Sequence, residues 1–373
     1  MLAHAMSWAR EIGCGRIQGW GQGKRQGADG DMRKAADAMR ARRAGASPLP
    51  ACGESPVAGM MPGAPALAYG PDEPSLAANV PYVKGAARSL QPLPPPPLWT
   101  TWATGTALTA DLGHQSSHGT PGLDETLGGI AAGVDYRGVP DLVLGFGLGG
   151  AEVSADLKNS LGKTSSDVFQ VGVYGSKAFG AAYVSTAFAY SNASSKTERT
   201  VSVSPVFETL DGHPNTDLFS GRLEAGWRYA FGPAGVTPYA AVEVQSASTD
   251  AYNETSNLPT TAFGLSYRSK TDTGVRTELG SRFDIASAGN WTVFGRVAWV
   301  YQDLDAKATA LFEASPVSVF TINGTDLPRN AALLSLGSNV RINDSWNFTA
   351  SADTELSGRT SSIGGRATLR YLW

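Results

Sequence analysis

The sequence predicts an all-β chain, a 12-stranded antiparallel transmembrane β-barrel preceded by a low-complexity, Pro/Gly-rich N-terminal segment. Three observations predict it. From Leu98 onward apolar residues recur at every second position, and turn residues separate the segments that show this period. Short and long connections alternate between these segments, and their charged residues share one face. With 373 residues, of which 42% are hydrophobic and 17% charged, the chain can bury a large core.

The composition changes near Leu98. All six Met and both Cys lie within the first 61 residues, and residues 1–97 hold 13 of the 22 Pro. We expect residues 1–73 to be largely disordered. Residues 31–43, rich in Ala and Arg, could form a short helix, but Pro and Gly interrupt residues 48–70. Residues 74–97 end in Leu-Pro-Pro-Pro-Pro and read as an extended Pro-rich linker. Residues 98–373 then form the barrel, and no signal peptide is expected because residues 1–30 lack a long apolar run.

Charge and cysteine content exclude several classes of protein. The formal net charge is −3, so no basic field favours nucleic acid as a partner. Because the last 276 residues have no Cys, disulfides, Cys-based zinc sites and thiol nucleophiles are excluded there. We expect no cofactor.

Residues 218–229 illustrate the two faces of the predicted strands. Phe219 and Leu223 fall on one face, and Arg222, Glu224 and Arg228 fall on the other. A single strand of this kind would suit a soluble sandwich equally well. The pattern recurs, however, in segments 273–285, 346–356 and 363–373. A series of strands with one wholly uncharged face is typical of a barrel whose outer wall contacts lipid.

Twelve segments carry this alternation, and an even number suits a closed single-chain membrane barrel. The predicted strands are 98–110, 126–137, 142–153, 167–177, 181–191, 217–230, 236–246, 272–285, 291–302, 330–341, 346–356 and 363–373. Five short turns, near residues 138–141, 178–180, 231–235, 286–290 and 342–345, alternate with long loops near 111–125, 154–166, 192–216, 247–271 and 303–329 and a shorter one at 357–362. Short turns on the periplasmic side and long external loops are typical of an outer-membrane barrel, and twelve strands place both ends in the periplasm.

The alternation assigns a balanced set of charges to the lumen, with nine positive and seven negative groups. These groups are Asp135, Arg137, Arg222, Glu224, Arg228, Glu243, Arg276, Glu278, Arg282, Asp284, Arg296, Arg341, Asp353, Glu355, Arg366 and Arg370. Glu152 and Lys177 fall on the apolar side, at predicted strand ends where the cost of a charge is small. Aromatic residues near strand ends suit an interfacial girdle, namely Trp99, Trp291, Trp346, Tyr371 and Trp373.

Two features could indicate an enzyme. Residues 145–150 match G-x-G-x-x-G, but no helix is predicted after them, and small residues on the lumen side of a strand explain the match. His114, His118 and His213 fall in predicted external loops near Asp111 and Asp211, but without the fixed spacing of a metal site. We therefore predict that the protein is not an enzyme.

The second segment resembles a known family, the β-domain of autotransporters, the translocators of type V secretion. The resemblance covers about residues 98–373 and rests on five pieces in family order: 129–137 (GIAAGVDYR), 221–229 (GRLEAGWRY), 237–241 (TPYAA), 278–283 (ELGSRF) and the terminal 369–373 (LRYLW). It implies an outer-membrane barrel of a Gram-negative bacterium that supports export or surface display of an N-terminal passenger. Because only 97 residues precede the barrel, the passenger is expected to be short or missing here.

The resemblance also implies partners and an assembly signal. Barrels of this family are inserted by the barrel-assembly machinery, which reads a last strand ending in an aromatic residue. By that resemblance Leu369, Tyr371 and Trp373 are the assembly signal. The expected partners are outer-membrane lipid, the assembly machinery and the chain's own N-terminal passenger or linker. The alternative function is a passive porin-like or adhesive outer-membrane barrel whose external loops do the work.

Overall fold

A computed structural model describes residues 98–112, 122–158, 162–203, 206–259, 261, 263–287, 290–303, 307–312, 315–323, 329–358 and 360–373. The N-terminal segment and the Pro-rich linker, predicted for residues 1–97, lie outside the described residues. None of the helices in the described ranges is long and apolar enough to cross a membrane.

The described residues form nineteen β-strands. They are β1 (Trp99–Leu112), β2 (Leu123–Val139), β3 (Leu142–Leu157), β4 (Gly162–Phe179), β5 (Ala182–Val203), β6 (Val206–Gly212), β7 (Asn215–Trp227), β8 (Tyr229–Phe231), β9 (Ala234–Thr249), β10 (Tyr252–Asn253), β11 (Thr255–Ser256), β12 (Leu265–Tyr267), β13 (Lys270–Ala286), β14 (Trp291–Asp303), β15 (Lys307–Phe312), β16 (Ser315–Asn323), β17 (Asn330–Arg341), β18 (Trp346–Ser357) and β19 (Thr360–Leu372).

Twelve long strands close into an antiparallel barrel, which confirms the predicted fold class and strand number. The pairing runs β1-β2-β3-β4-β5-β7-β9-β13-β14-β17-β18-β19, and β19 pairs again with β1. At the closing seam the backbones of Trp99 and Trp373 exchange two hydrogen bonds, of 3.1 and 3.0 Å. Closure matters because it leaves these strands no open edge, so each backbone group has a neighbour to bond.

The five predicted short turns all connect neighbouring strands at one end of the barrel, which we call the short-turn end. Asp141, Gly180 and Gly232 have positive φ angles of 60°, 67° and 63° in three of these turns. Tight hairpins need this left-handed conformation, which Gly adopts without steric cost and Asp tolerates better than most residues. Trp99 and Trp373 also lie at this end, so the barrel begins and ends there.

At the opposite end, the long-loop end, the prediction of plain loops is wrong. β5 continues to Val203 and turns back into β6, which also pairs with β11. A separate four-stranded sheet forms in the order β10-β12-β15-β16. The extension of β5 was not predicted because polar residues occupy both of its faces, as in residues 194–200 (SSKTERT), so the period-two signal of hydrophobicity disappears there.

The outer wall of the barrel carries the apolar face of the strands. Large apolar side chains point outward at mid-strand, including Leu223 (51% exposed) and Leu279 (61% exposed). Their neighbours along the chain, Arg222, Glu224 and Glu278, are buried or nearly so. This inversion of the usual globular pattern means that the apolar face is not covered by protein.

Glu152 is not at the end of its strand, contrary to expectation. β3 runs on to Leu157, and Glu152 is exposed opposite Asp167 of β4. Both carboxylates lie just beyond the exposed ring of Phe169 on the side of the long-loop end. The alternation of apolar residues stops where the apolar band of the outer wall ends, but the backbone pairing continues past it. The strand is therefore longer than its hydrophobic pattern predicts. Lys177 lies near the end of β4, where its ammonium donates to the carbonyl of Pro140 at 2.8 Å.

Candidate functional site

The interior of the barrel is crossed by side-chain contacts between strands that are not neighbours. Arg276 on β13 lies 2.8 Å from Glu355 on β18, although β14 and β17 run between them. Arg282 on β13 reaches Glu224 on β7 at 2.7 Å, past β9. Since a side chain can bypass an intervening strand only on the concave side of a closed sheet, these groups occupy the lumen.

Two arginines and two glutamates form the centre of this interior network. Arg222 makes a bidentate contact with Glu278, at 3.1 and 3.0 Å, and its Nη2 lies 2.9 Å from Glu224. Arg282 makes a second bidentate contact with Glu224, at 2.7 and 2.9 Å. Bidentate pairs are the geometry in which guanidinium and carboxylate bind most strongly, and they also fix the orientation of both groups.

The network extends along the wall in both directions. Arg276 contacts Glu278 at 3.3 Å as well as Glu355, and Glu243 lies 3.5 Å from Arg222. Arg296 on β14 lies 3.4 Å from Asp353 on β18. The network has four arginines, Arg222, Arg276, Arg282 and Arg296, and Arg296 joins it through Glu278 at 4.0 Å. They face five carboxylates within one connected set, namely Glu224, Glu243, Glu278, Asp353 and Glu355. This balance explains how so many charges remain buried, because each one has a counter-charge.

Two tyrosines complete the network. The Tyr183 hydroxyl donates to Glu224 at 2.7 Å and also contacts Arg282. Tyr239 donates to Glu278 at 3.2 Å, and its ring lies under the guanidinium of Arg282 at 4.0 Å. Both lie on the polar side of their strands, in β5 and β9. In the sequence, an aromatic residue at an inward position among polar neighbours could have indicated such a contact. The prediction of lumen residues included charged groups only.

A second interior cluster lies on the opposite wall. The sequence predicted the inward position of its charged members, Asp135 and Arg137, but not the part played by Trp102 and Tyr174. The Trp102 indole donates to the Tyr174 hydroxyl at 2.9 Å, and that hydroxyl donates to Asp135. Asp135 lies 3.7 Å from Arg137. All three members of the chain of hydrogen bonds are buried.

The glycine motif at 145–150 makes room for this cluster. A Cβ on Gly145 would lie 2.0 Å from the Tyr174 ring, and one on Gly147 would lie 3.0 Å from the Trp102 ring. Glycines on the lumen side of β3 therefore let the two rings lie flat on the wall. The structure supports the explanation by small lumen-side residues, and a strand rather than a helix carries the motif.

Five of the predicted lumen charges lie apart from both interior clusters, and one of them, Arg341, is exposed at the end of β17, so its assignment to the lumen is wrong. Arg228, between β7 and β8, pairs with Asp284 near the short-turn end. Arg366 and Arg370 lie half-buried on β19, alternating with the exposed Ala367 and Leu369. Of the histidines considered for catalysis, His213 is exposed between β6 and β7, and the others fall outside the described residues. The described part of the chain holds no His/Cys/Asp/Glu group able to bind a metal ion.

The proposed assembly residues form a row on the outside of β19. Leu369, Tyr371 and Trp373 are 39%, 38% and 57% exposed. Trp373 stacks on Trp99 with ring centroids 6.3 Å apart, and Tyr371 contacts Trp346 at 4.8 Å. Together with Trp291 they form an aromatic belt at the short-turn end.

At the long-loop end, buried charges hold the extra strands against the barrel. Arg199 on β5 makes a bidentate contact with Glu254 and donates to the carbonyl of Phe263 at 2.6 Å. Glu208 on β6 accepts from the backbone N–H of Phe263 at 2.9 Å. Burial beside Glu254 raises the pKa of Tyr267 well above its usual range, so this tyrosine remains a neutral donor. These buried contacts make the extra strands at the long-loop end an ordered extension of the barrel.

Comparisons with known proteins identify the family. The family model described as the autotransporter β-domain matches residues 101–353. The chain belongs to the autotransporter β-domain family. The structure resembles the translocator domain of the autotransporter NalP from Neisseria meningitidis, with a TM-score of 0.61 and 14% identity over 74% of this chain and 88% of that one. It also resembles the β-domain of the Bordetella autotransporter BrkA, with a TM-score of 0.56 and 17% identity over 74% of this chain and 100% of that one.

One curated relative is much longer than this chain. The uncharacterized protein YaiT of Escherichia coli strain K12 is 28% identical over 192 residues, which are 50% of this chain and 19% of YaiT. The chain thus spans about a fifth of that relative's length. The autotransporter β-domain described here is a barrel of the Gram-negative outer membrane and of the translocator type, not an enzyme.

Proposed function

We propose that this barrel supports the export or surface display of an N-terminal passenger through the outer membrane. The observation that carries the proposal is the position of Trp99, which begins β1 at the short-turn end beside Trp373. In outer-membrane barrels the short turns face the periplasm. A segment that precedes Leu98 therefore starts at the periplasmic mouth, where it can enter the lumen.

The lumen wall suits a passing polypeptide. Its charges form mutual pairs, such as Arg222 with Glu278 and Arg276 with Glu355, so the wall presents little net charge of either sign. A wall of this kind neither traps nor repels a chain on the basis of charge. It also keeps the lumen polar, as a hydrated passage requires.

The test is a surface-display experiment. The full chain is given a working signal peptide, and an epitope tag is placed directly after that signal peptide, at the N-terminal end of residues 1–97. On intact cells we expect an added protease to remove the tag while the barrel remains in the membrane. A passive porin-like or adhesive barrel would instead leave the tag protected in the periplasm, and that result would overturn the export proposal.

A matched control separates export from simple leakage. A second tag inserted in the short turn at Asn343 should stay protected in the same cells, because that turn faces the periplasm in this proposal. Digestion of both tags would show that the outer membrane is permeable to the protease. The experiment is then repeated with intact cells. If only the Asn343 tag is digested, the orientation of the barrel is opposite to the one proposed.

We further propose that Leu369, Tyr371 and Trp373 are recognised by the barrel-assembly machinery, and that lipid covers the outer wall. The three side chains form an exposed apolar row on the last strand. Trp373 directly follows β19 and supplies the terminal aromatic residue that the family resemblance implies. The outward exposure of Leu223 and Leu279 supports lipid as the partner of the wall.

A further inference from the structure

An open apolar notch lies on the outer wall between β4, β5, β7 and β9. Its volume is about 540 Å³. Its sides are formed by Val171, Phe188, Tyr190, Phe219 and Val244. Gly221 forms its floor, because it faces outward without a side chain, and a Cβ there would lie 3.3 Å from the Phe188 ring.

The height of the notch places it in the outer half of the membrane. Phe188 and Tyr190 lie six and eight residues beyond Ala182, the first residue of β5 at the short-turn end. Strands tilted in an outer-membrane barrel rise about 2.5 Å per residue along the membrane normal. The notch therefore lies about 15 to 20 Å above the periplasmic edge of an apolar band about 25 Å tall.

A polar group marks the upper end of the notch. The Asp217 carboxylate accepts from the Tyr190 hydroxyl at 2.6 Å and from the Asn192 amide at 2.9 Å. Asp217 lies on β7, two positions beyond Phe219 toward the long-loop end. The recess is apolar below and ends above in hydrogen-bonded polar groups. A lipid molecule shows the same change in polarity where its acyl chains meet the head group.

We propose that the notch binds a fatty acyl chain of an outer-leaflet lipid, with the lipid's head group at the level of Asp217. The occupant follows from position and chemistry. The recess opens onto the membrane in the outer leaflet, and its walls are aromatic and aliphatic side chains. A chain seated against Gly221 touches walls on both sides, whereas a lipid on the flat wall touches protein on one side. This proposal depends on the barrel's place in the membrane and not on passenger export.

The test uses photolabelling of the full chain in lipid nanodiscs. The probe is phosphatidylethanolamine with a diazirine on one acyl chain, and mass spectrometry maps the labelled residues. We expect labelling of Phe188, Tyr190 and Val244 to exceed that of Val297 by at least about fourfold, because one further buried methylene changes occupancy by about that factor. Val297 is a fair reference, since it is 52% exposed and lies six residues along β14.

Two variants alter the notch and one serves as a control. Ser246→Leu fills the notch and Phe219→Ala removes one wall, so each should reduce the excess labelling to the level of Val297. Thr109→Leu makes the same type of change as Ser246→Leu on a strand of the opposite wall, and it should leave the excess intact. Heat-modifiable migration of each variant confirms that the barrel has folded. Equal labelling around the wall, or an excess that survives Ser246→Leu, would overturn the proposal.

Discussion

The guanidinium of Arg276 lies 2.8 and 3.3 Å from the two carboxylate oxygens of Glu355, across the lumen from β13 to β18. Both groups are buried. The strands that carry them, β13 and β18, are separated in the wall by β14 and β17. The pair thus connects parts of the barrel that share no backbone hydrogen bonds. Because the pair is buried, its effect on barrel stability depends on whether the attraction between the two charges outweighs the cost of removing them from water.

Removing one partner of this pair should cost more than removing both. For Arg276→Met we expect a loss of about 3 to 5 kcal/mol of barrel stability, because Glu355 is left buried without its counter-charge. The double variant Arg276→Met/Glu355→Leu should recover part of that loss. Urea unfolding in detergent micelles, followed by tryptophan fluorescence, measures both.

The matched control for the buried pair is the exposed pair of Lys158 and Asp111, which lie 2.6 Å apart. Lys158→Ala should cost less than about 1 kcal/mol, because solvent screens exposed pairs. A double variant as unstable as Arg276→Met alone would show that the pair does not act as a unit.

The Trp102–Tyr174–Asp135 cluster depends on the absence of a side chain at Gly145. Gly145→Ala should destabilise the barrel by about 1 to 3 kcal/mol, because the added methyl group must displace the Tyr174 ring. Urea unfolding in micelles gives the difference. Gly105→Ala is the control, since a Cβ at Gly105 has no atom within 4 Å. Equal effects at the two positions would mean that general strand flexibility, rather than the ring contact, sets the cost.

A charge should be tolerated inside the wall and not on its outer face. Leu279→Lys should cost about 2 to 4 kcal/mol if the side chain lies near mid-membrane. Ser220→Lys should cost less, because Ser220 faces inward beside the pair formed by Arg222 and Glu243. The measurement is the unfolding free energy of each variant in lipid vesicles. Similar penalties for both variants would contradict the assigned faces.

The last strand should matter for assembly beyond its role in the aromatic belt. Deleting Trp373 should reduce the heat-modifiable barrel in the outer membrane and leave unassembled chain in the periplasm, provided that a working signal peptide precedes the chain. Trp346 would be a poor control because its ring contacts Tyr371. Trp291→Ala is better, since Trp291 belongs to the same belt on β14 and is 49% exposed. Equal losses for both changes would reduce Trp373 to an interfacial anchor.

The sequence alone was enough to predict the twelve strands and the outward face of residues such as Leu223 and Leu279. This succeeds because the alternation of side chains is a local property of an extended backbone. Strand ends were less accurate, as at Glu152 and Val203, because pairing continues where the hydrophobic pattern stops. The strands β6, β10, β11, β12, β15 and β16 were not predicted either, since all of them fall within the segments predicted as long loops.

Only the tertiary structure decided which interior groups meet. Arg276 and Glu355 are 79 residues apart in the chain, and their contact depends on the stagger of every strand pair between them. The notch at Gly221 likewise arises from side chains of four strands, whose relative heights no local pattern contains. A period of two determines the face on which a residue lies, whereas the accumulated register of a closed sheet determines its neighbours across the lumen.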